Sequence, residues 1–226
     1  MNSKPLTGLH LKLIACAAML TDHACKVLIH GTFAAKYLSG SVGRIAFPLF
    51  AYLLLEGFLH TKNRMKYARN LLVIAVISEA FFDYALHGKW FYLQAQNTCF
   101  TLLLGLLLFI VLEKCETAGK PLLMLPAAAL FACAFYFGRV DYGLAACGVF
   151  LVLYLCRYQA PWFAALLTAT VLLAAYRTFG AYLAVIPLFF YGRERGRIPS
   201  AAKYLFYAFY PAHLAVLASV RLFDAL

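Results

Sequence analysis

Residues 11–26 read LKLIACAAMLTDHACK, and residues 43–50 read GRIAFPLF. Each stretch is apolar enough to belong to a membrane-spanning helix, which needs about 20 predominantly apolar residues. The first nevertheless carries Asp22 and His23 well inside the apolar run, and the second has Arg44 at its start. Ionisable groups at membrane depth are energetically costly, so these three residues are candidate functional groups.

The composition of the whole chain indicates an integral membrane protein. Of its 226 residues, 65% are hydrophobic and 13% are charged, whereas soluble domains are about 45–50% apolar and about 25% charged. The net charge of +11 does not indicate nucleic-acid binding, because Lys and Arg concentrate in short loops between apolar runs. The seven cysteines lack a CxxC pair, and no His, Cys and carboxylate spacing predicts a metal site.

Apolar runs predict an all-α fold, in which a polytopic membrane bundle of about nine helices forms one domain over residues 1–226. The predicted spans are residues 10–30, 41–60, 67–87, 97–113, 120–138, 142–157, 160–176, 178–192 and 203–223. A cytoplasmic N-terminus places 13 of the 20 Lys and Arg residues inside and 7 outside. The positive-inside rule therefore favours this orientation.

On this topology, most intramembrane polar residues fall into one layer of the outer half of the bilayer. At about 1.5 Å per residue, His23 lies roughly 20 Å above the inner end of the first span. The layer is predicted to hold a set of charged and amide side chains, namely Arg44, Glu79, Asp83, Asn97, Asp141 and His213. We expect them to line a shared chamber, with Glu56 as the main polar residue of the inner half.

The neighbours Asp22 and His23 point about 100° apart on a helix, so Asp22 is expected to pair with Lys26 at i+4. His23 then needs a partner on another helix, and Glu79 and Asp83, which share one helix face, could supply it. A histidine held in one tautomer by a carboxylate is a good general base near neutral pH. A structural histidine that bonds between helices is the alternative.

Three other features have both a structural and a functional interpretation. Arg44 is an interface anchor, or it pairs with a carboxylate or binds a carbonyl or phosphate oxygen. The Asp141-Tyr142-Gly143 stretch is a loop that caps the next helix, or it belongs to the polar site. Two basic clusters lie on the inner side, one with Arg64, Lys66 and Arg69 and one with Arg195, Arg197 and Lys203. These inner basic clusters are explained by membrane topology and attraction to anionic lipid, or they bind a phosphate-rich ligand.

Four motifs together resemble the TraX family: MLTDH at 19–23, GRIAFPLF at 43–50, DYG at 141–143 and FYPAHL at 209–214. That family is named for an inner-membrane protein that acetylates the N-terminus of a conjugative pilin subunit. It is also distantly similar to transmembrane acyltransferases that use acyl-CoA from the cytoplasm and a histidine on an early span.

The resemblance implies a multi-pass protein of the bacterial inner membrane. It makes His23 the candidate catalytic histidine, with Asp22 beside it, and places Arg44 and Phe47-Pro48 around an acyl site that His213 lines. We therefore expect acetyl-CoA, or another acyl-CoA, as co-substrate. The acceptor would be an amine or hydroxyl of a protein N-terminus, a glycan or a small molecule in the membrane or beyond it.

The predicted site is thus divided into three sets of residues. His23 and Asp22 are the predicted catalytic residues. The predicted substrate-binding residues are Arg44, Glu79, Asp83, Asn97, Asp141, Tyr142 and His213, and the predicted acyl-CoA-binding residues are Arg64, Lys66, Arg69, Arg195, Arg197 and Lys203. The alternatives to an acyltransferase are a transporter or export component with an intramembrane proton relay, and a non-catalytic assembly factor.

Overall fold

A computed structural model describes residues 4–194, 196 and 202–224, without the side chains of residues 202–204 and 224. Ten α-helices follow one another in these ranges: α1 Gly8–Leu28, α2 Phe33–Gly40, α3 Ala46–His60, α4 Arg64–His87, α5 Thr98–Thr117, α6 Met124–Phe137, α7 Gly143–Leu155, α8 Pro161–Tyr176, α9 Val185–Phe189 and α10 Ala202–Asp224. Short 3-10 turns precede α3, α6 and α9, at Gly43–Ile45, Pro121–Leu123 and Gly180–Ala184. The remaining secondary structure within the described ranges includes two isolated β-bridges, Leu6–Tyr191 and Gln96–Val140.

Four helical segments of the described chain are long and apolar enough to cross a membrane, namely Phe33–His60, Arg64–His87, Thr98–Thr117 and Leu205–Phe223. Shorter apolar helices cover Pro121–Phe137, Gly143–Leu155, Pro161–Tyr176 and Gly180–Phe189. With 21 residues, α1 is about 30 Å long, which also matches the thickness of the hydrocarbon core. The predicted all-α membrane bundle is confirmed.

A short helix precedes the second predicted span, residues 41–60. Thr32 accepts a hydrogen bond from the Ala35 N–H and so begins the short helix α2, which sequence patterns did not reveal. The chain then passes through the Gly43–Ile45 turn into α3. Pro48 lies in the first turn of α3, where its missing N–H costs no helical hydrogen bond. Pro48 therefore lies at the start of this helix.

Two buried clusters meet at α1. The larger cluster includes Leu11 and Ala15 of α1 together with large side chains of α3, α5 and α7, such as Phe58 and Phe109. The smaller one includes Ala18 and Met19 of α1 with residues of α3, α4, α5 and α10. The first half of α1 therefore packs into the main core. Its second half, which carries Asp22 and His23, packs where α4 and α10 join α3 and α5.

Candidate functional site

The buried imidazoles of His23 on α1 and His213 on α10 form a hydrogen-bonded pair, although 190 residues separate them. His23 Nδ1 lies 2.8 Å from His213 Nε2. The ring planes are parallel within 2°, and the ring centroids are 5.1 Å apart. The centroid separation is about the sum of the N–N distance and the two distances from a ring centre to its nitrogen. The rings therefore lie edge to edge in one plane, which is the geometry of an N–H···N hydrogen bond.

A backbone carbonyl fixes the direction of this hydrogen bond. His213 Nδ1 lies 2.8 Å from the carbonyl oxygen of Phe209, one helical turn earlier, and a carbonyl oxygen can only accept. His213 Nδ1 therefore carries the proton, and in the neutral ring its Nε2 is an acceptor. His23 Nδ1 must then donate to it, which leaves the Nε2 of neutral His23 with a free lone pair. This is the protonation state of a general base.

The surroundings of the pair are aromatic and dry. His23 is only 5% exposed and His213 only 7% exposed. The rings of Phe82 and Tyr210 lie edge-on to His23, with centroids 6.5 Å and 6.4 Å away, and Phe209 stacks on His213. The two imidazoles are therefore largely shielded from water by aromatic side chains.

The predicted carboxylate partner of His23 is wrong, because Glu79 and Asp83 bond elsewhere. Glu79 Oε2 accepts hydrogen bonds from the backbone N–H and the side-chain amide of Asn97. Asp83 Oδ2 accepts from the Tyr92 N–H at 2.7 Å. Histidine orients histidine here, and Glu79 and Asp83 instead fasten the loop between α4 and α5.

Asn97 is the centre of the Glu79 group. It is fully buried, its side-chain oxygen caps the Cys99 N–H of α5, and its amide also donates to the carbonyl of Ala75. The second oxygen of Glu79 is buried without a hydrogen-bond partner among the described residues. Asn97 therefore begins α5 and joins it to α4.

Asp22 pairs with Lys26, as predicted from their i+4 spacing. It also accepts a hydrogen bond from Ser39 of α2. A side chain at Gly43 would lie 2.7 Å from Asp22, so this glycine lets the turn before α3 approach α1. Asp22 thus holds α2 and the Gly43–Ile45 turn against the face of α1 that points away from His23. The predicted catalytic role of Asp22 remains a prediction.

Asp141 joins the starts of α5 and α7. Its carboxylate accepts hydrogen bonds from the Thr98 hydroxyl at 2.6 Å and from the Tyr142 N–H at 3.0 Å, and its carbonyl accepts from the Thr101 hydroxyl. Burial raises the pKa of the Asp141 carboxyl, against the opposing effect of the Thr98 hydrogen bond. The N-cap of α7 is Tyr142, so the predicted capping position of Asp141 is shifted by one residue.

Arg44 extends from the turn before α3 towards the ends of α7 and α8. Its guanidinium carbon lies 5.8 Å from the centre of the Tyr142 ring and 5.5 Å from that of Tyr176, and its Nη1 lies 3.5 Å from the Tyr142 hydroxyl. Tyr142 stacks on Phe47, with ring centroids 4.1 Å apart. Arg44 and Tyr142 are therefore neighbours in the fold, and their predicted role in substrate binding remains a prediction.

Tyr210 connects the histidine pair with the Asp141 group. It lies beside both His23 and His213, and its buried hydroxyl approaches Thr98 without an aligned hydrogen bond. The residues that were predicted to share one polar layer are thus distributed over three hydrogen-bonded groups, around His23, Asn97 and Asp141. The described contacts do not merge them into one open chamber.

The predicted acyl-CoA-binding residues differ in ion pairing and in exposure. Arg64 forms a bidentate pair with Glu113 and lies over the Phe58 ring, whereas Lys66 and Arg69 are exposed. Arg195, Arg197 and the side chain of Lys203 lie outside the described residues. Lys66 and Arg69 are therefore the described members of the inner clusters that are exposed to a ligand.

Sequence reasoning missed Ser39 and Tyr176. Ser39 belongs to a helix that was assigned to a loop, and the capping residue Thr32 was the available signal. Tyr176 ends α8, and no local pattern distinguishes it from an aromatic residue of the membrane interface. Among the residues that the structure describes, no group of three His, Cys, Asp or Glu side chains could hold a metal ion.

Comparison with known proteins identifies the family. The family model described as "TraX protein" matches residues 7–221, a range that includes His23, Arg44 and His213. The chain is 30% identical to "Probable fimbrial assembly protein FimC, serogroup H1" of Dichelobacter nodosus, over 96% of both chains. No solved structure matches the chain significantly. On the strength of a match over nearly its whole length, this membrane protein belongs to the TraX family.

Proposed function

We propose that the protein is an acyltransferase of the bacterial inner membrane, which transfers an acetyl group from acetyl-CoA to an amine or hydroxyl. The observation that carries this proposal is the chain from the Phe209 carbonyl through His213 to His23, since it leaves His23 Nε2 unprotonated. A positioned general base typically contributes about 10²–10⁴-fold to a proton-transfer reaction. Membership of the TraX family supports the same chemistry.

In the proposed reaction, His23 Nε2 takes a proton from the acceptor group as its nitrogen or oxygen attacks the thioester carbon. The new C–N or C–O bond forms, and the C–S bond to coenzyme A breaks. The proton on His23 then passes to the departing thiolate, so the products are the acylated acceptor and free CoA. His213 acts as a positioning residue, because it holds His23 in the tautomer that the first step needs.

The donor would approach from the cytoplasm, with the N-terminus of the chain on that side. The exposed Lys66 and Arg69 would contact the phosphates of the CoA, since charge-assisted hydrogen bonds to phosphate are among the stronger polar interactions. Arg64 would keep its pairing with Glu113 and support the helix from which these side chains extend.

The acceptor would be the exposed N-terminus of a pilin-like subunit. The printed name of the Dichelobacter nodosus relative describes fimbrial assembly, and the family is named for pilin acetylation. An acceptor that is itself anchored in the membrane would be delivered at the depth of His23, without crossing water.

The test is acetyl transfer in membranes. Membranes from cells that produce the protein would receive acetyl-CoA labelled in the acetyl group, and the label would be followed into protein, lipid and glycan fractions together with the release of free CoA. The variant H23A should lose acceptor-dependent transfer. The matched control is H30A, because His30 is an exposed histidine just beyond the end of α1, and this control should behave as wild type.

Equal label transfer by H23A and wild type would exclude His23 as the base. Absence of acetyl-CoA-dependent labelling in all fractions would exclude the acyltransferase. A proton-coupled transporter is the second candidate, because two hydrogen-bonded imidazoles can also relay a proton. That candidate predicts loss of function in H23A without any dependence on acyl-CoA.

A further inference from the structure

The guanidinium of Arg44 has no carboxylate partner among the described residues. Its Nε is buried without a hydrogen-bond partner, and its contact with the Tyr142 hydroxyl, at 3.5 Å, is at the limit for a hydrogen bond. A guanidinium has five N–H donors. A half-buried guanidinium with most of its N–H donors unbonded is energetically unfavourable unless a ligand or water accepts hydrogen bonds from them.

The carboxylates nearest to Arg44 are already committed to other groups. Asp22 pairs with Lys26 and Ser39, and Asp141 accepts hydrogen bonds from Thr98 and from the Tyr142 backbone. The fold therefore keeps the positive charge of Arg44 available instead of neutralising it internally.

Tyr142 and Tyr176 hold the guanidinium in place. Their rings lie 5.8 Å and 5.5 Å from its central carbon, within the range of a cation–π interaction. Tyr142 has φ +63°, a left-handed conformation that is unfavourable for a residue with a side chain. Stacking on Phe47 fixes the ring, so a strained backbone supports this wall of the site, as is frequent where ligands bind.

The site lies apart from the histidine pair and near one end of the helical bundle. Arg44 precedes α3 by a short turn, α7 begins beside Tyr142, and α8 ends at Tyr176. Gly43 packs against Asp22, whereas His23 turns towards α4 and α10. Helix ends of a membrane bundle lie at the level of lipid headgroups, where phosphate is the abundant anion.

We propose that Arg44, Tyr142 and Tyr176 form a binding site for a phosphate group, carried either by a lipid or by a soluble molecule. The planar fork of arginine donates two parallel hydrogen bonds to phosphate oxygens, which lysine cannot reproduce. The two tyrosine rings lie beside the guanidinium within cation–π range, and most of its N–H groups bond to none of the described residues. The proposal concerns binding, so its test does not need enzymatic activity.

The test is thermal unfolding of the detergent-purified protein, stripped of lipid, during titration with four probes. These are inorganic phosphate, dihexanoyl-phosphatidylglycerol, dihexanoylglycerol without phosphate, and acetate, each compared with potassium chloride of equal ionic strength. A specific ligand at about 100 times its Kd should raise the Tm by roughly 5–10 °C in a chain of this size. The phosphate-bearing probes should produce this saturable rise.

Three variants complete the test. R44Q should abolish the rise in Tm, and R44K should weaken the apparent affinity at least ~10-fold, because it keeps the charge but loses the fork. The matched control R177Q changes an exposed arginine next to Tyr176 and should respond as wild type. If R44Q does not fold, the comparison of R44K with wild type decides.

A rise with dihexanoyl-phosphatidylglycerol alone assigns the site to a lipid-borne phosphate, and a rise with inorganic phosphate alone assigns it to a soluble one. The proposal is overturned if neither phosphate probe exceeds potassium chloride in the wild type. It is also overturned if acetate or dihexanoylglycerol matches the phosphate probes, or if a folded R44Q or R44K responds as wild type does.

Discussion

Replacement of His213 by phenylalanine tests the central inference about His23. His213 is only 7% exposed and lies beside Phe209 and Tyr210. The H213F variant keeps an aromatic ring at this position but removes the acceptor for His23 Nδ1. The Nδ1–H would then be buried without a partner. The ring of His23 can avoid this only by moving, or by taking the other tautomer and losing the free lone pair on Nε2.

The expected size follows from the cost of an unsatisfied buried donor. That cost is about 1–3 kcal/mol, which corresponds to a fall in the acetyl-transfer rate of roughly 5-fold to 150-fold. The variant H213Q should recover much of the loss, because a glutamine oxygen can accept from His23 Nδ1. A role of His213 in packing alone predicts the opposite order, with the aromatic replacement better tolerated.

Two measurements check this prediction. Labelled acetyl transfer compares the rates of wild type, H213F and H213Q at equal protein amounts. Nitrogen-15 NMR of histidine-labelled protein in nanodiscs reports directly which ring nitrogen of His23 carries the proton. The inference fails if Nε2 of His23 is protonated in the neutral wild-type protein, or if H213F transfers acetyl groups as fast as wild type while H23A does not.

Two further predictions concern the packing that positions the site. G105A should destabilise the protein by about 1–3 kcal/mol, because the added methyl would lie 2.5 Å from the Phe150 ring. The control is G40A, where the added methyl would have no atom within 4 Å. Equal Tm values for the two variants would contradict the reasoning. N97A should cost about 2–4 kcal/mol, since it removes the cap of α5 and leaves Glu79 without its partner. Urea or thermal unfolding in detergent measures both, and an unchanged N97A would show that the Asn97 hydrogen bonds contribute little.

Most helical segments could be predicted from the sequence, but the predicted span 178–192 is wrong, because that stretch forms a 3-10 turn and the five-residue helix α9. Predicted spans 67–87, 97–113, 160–176 and 203–223 correspond to helices Arg64–His87, Thr98–Thr117, Pro161–Tyr176 and Ala202–Asp224. Long apolar runs give strong signals because a bilayer demands both length and hydrophobicity. The short helix α2 was missed, since its eight residues are too few for a span.

The residues of the candidate site were easier to single out from the sequence than the contacts between their side chains. His23, Arg44, Asp141 and His213 were singled out because ionisable residues inside apolar runs are rare. The Asp22–Lys26 pair followed from helical spacing and is confirmed. The partner of His23 was predicted wrongly, because residues within one helix have a known geometry whereas the facing of two helices depends on how the whole bundle packs.

By itself, therefore, the sequence determined that the chain is a helical membrane protein and which of its polar side chains are unusual. Only the tertiary structure decided that His23 meets His213 rather than Glu79. It also decided that Arg44 lies beside two tyrosines and pairs with none of the carboxylates that the structure describes. The physical reason is that hydropathy and helical periodicity act along each segment. The pairing of side chains 190 residues apart depends on which helix faces pack together, and small residues such as Gly43 and Gly105 set how closely those faces approach.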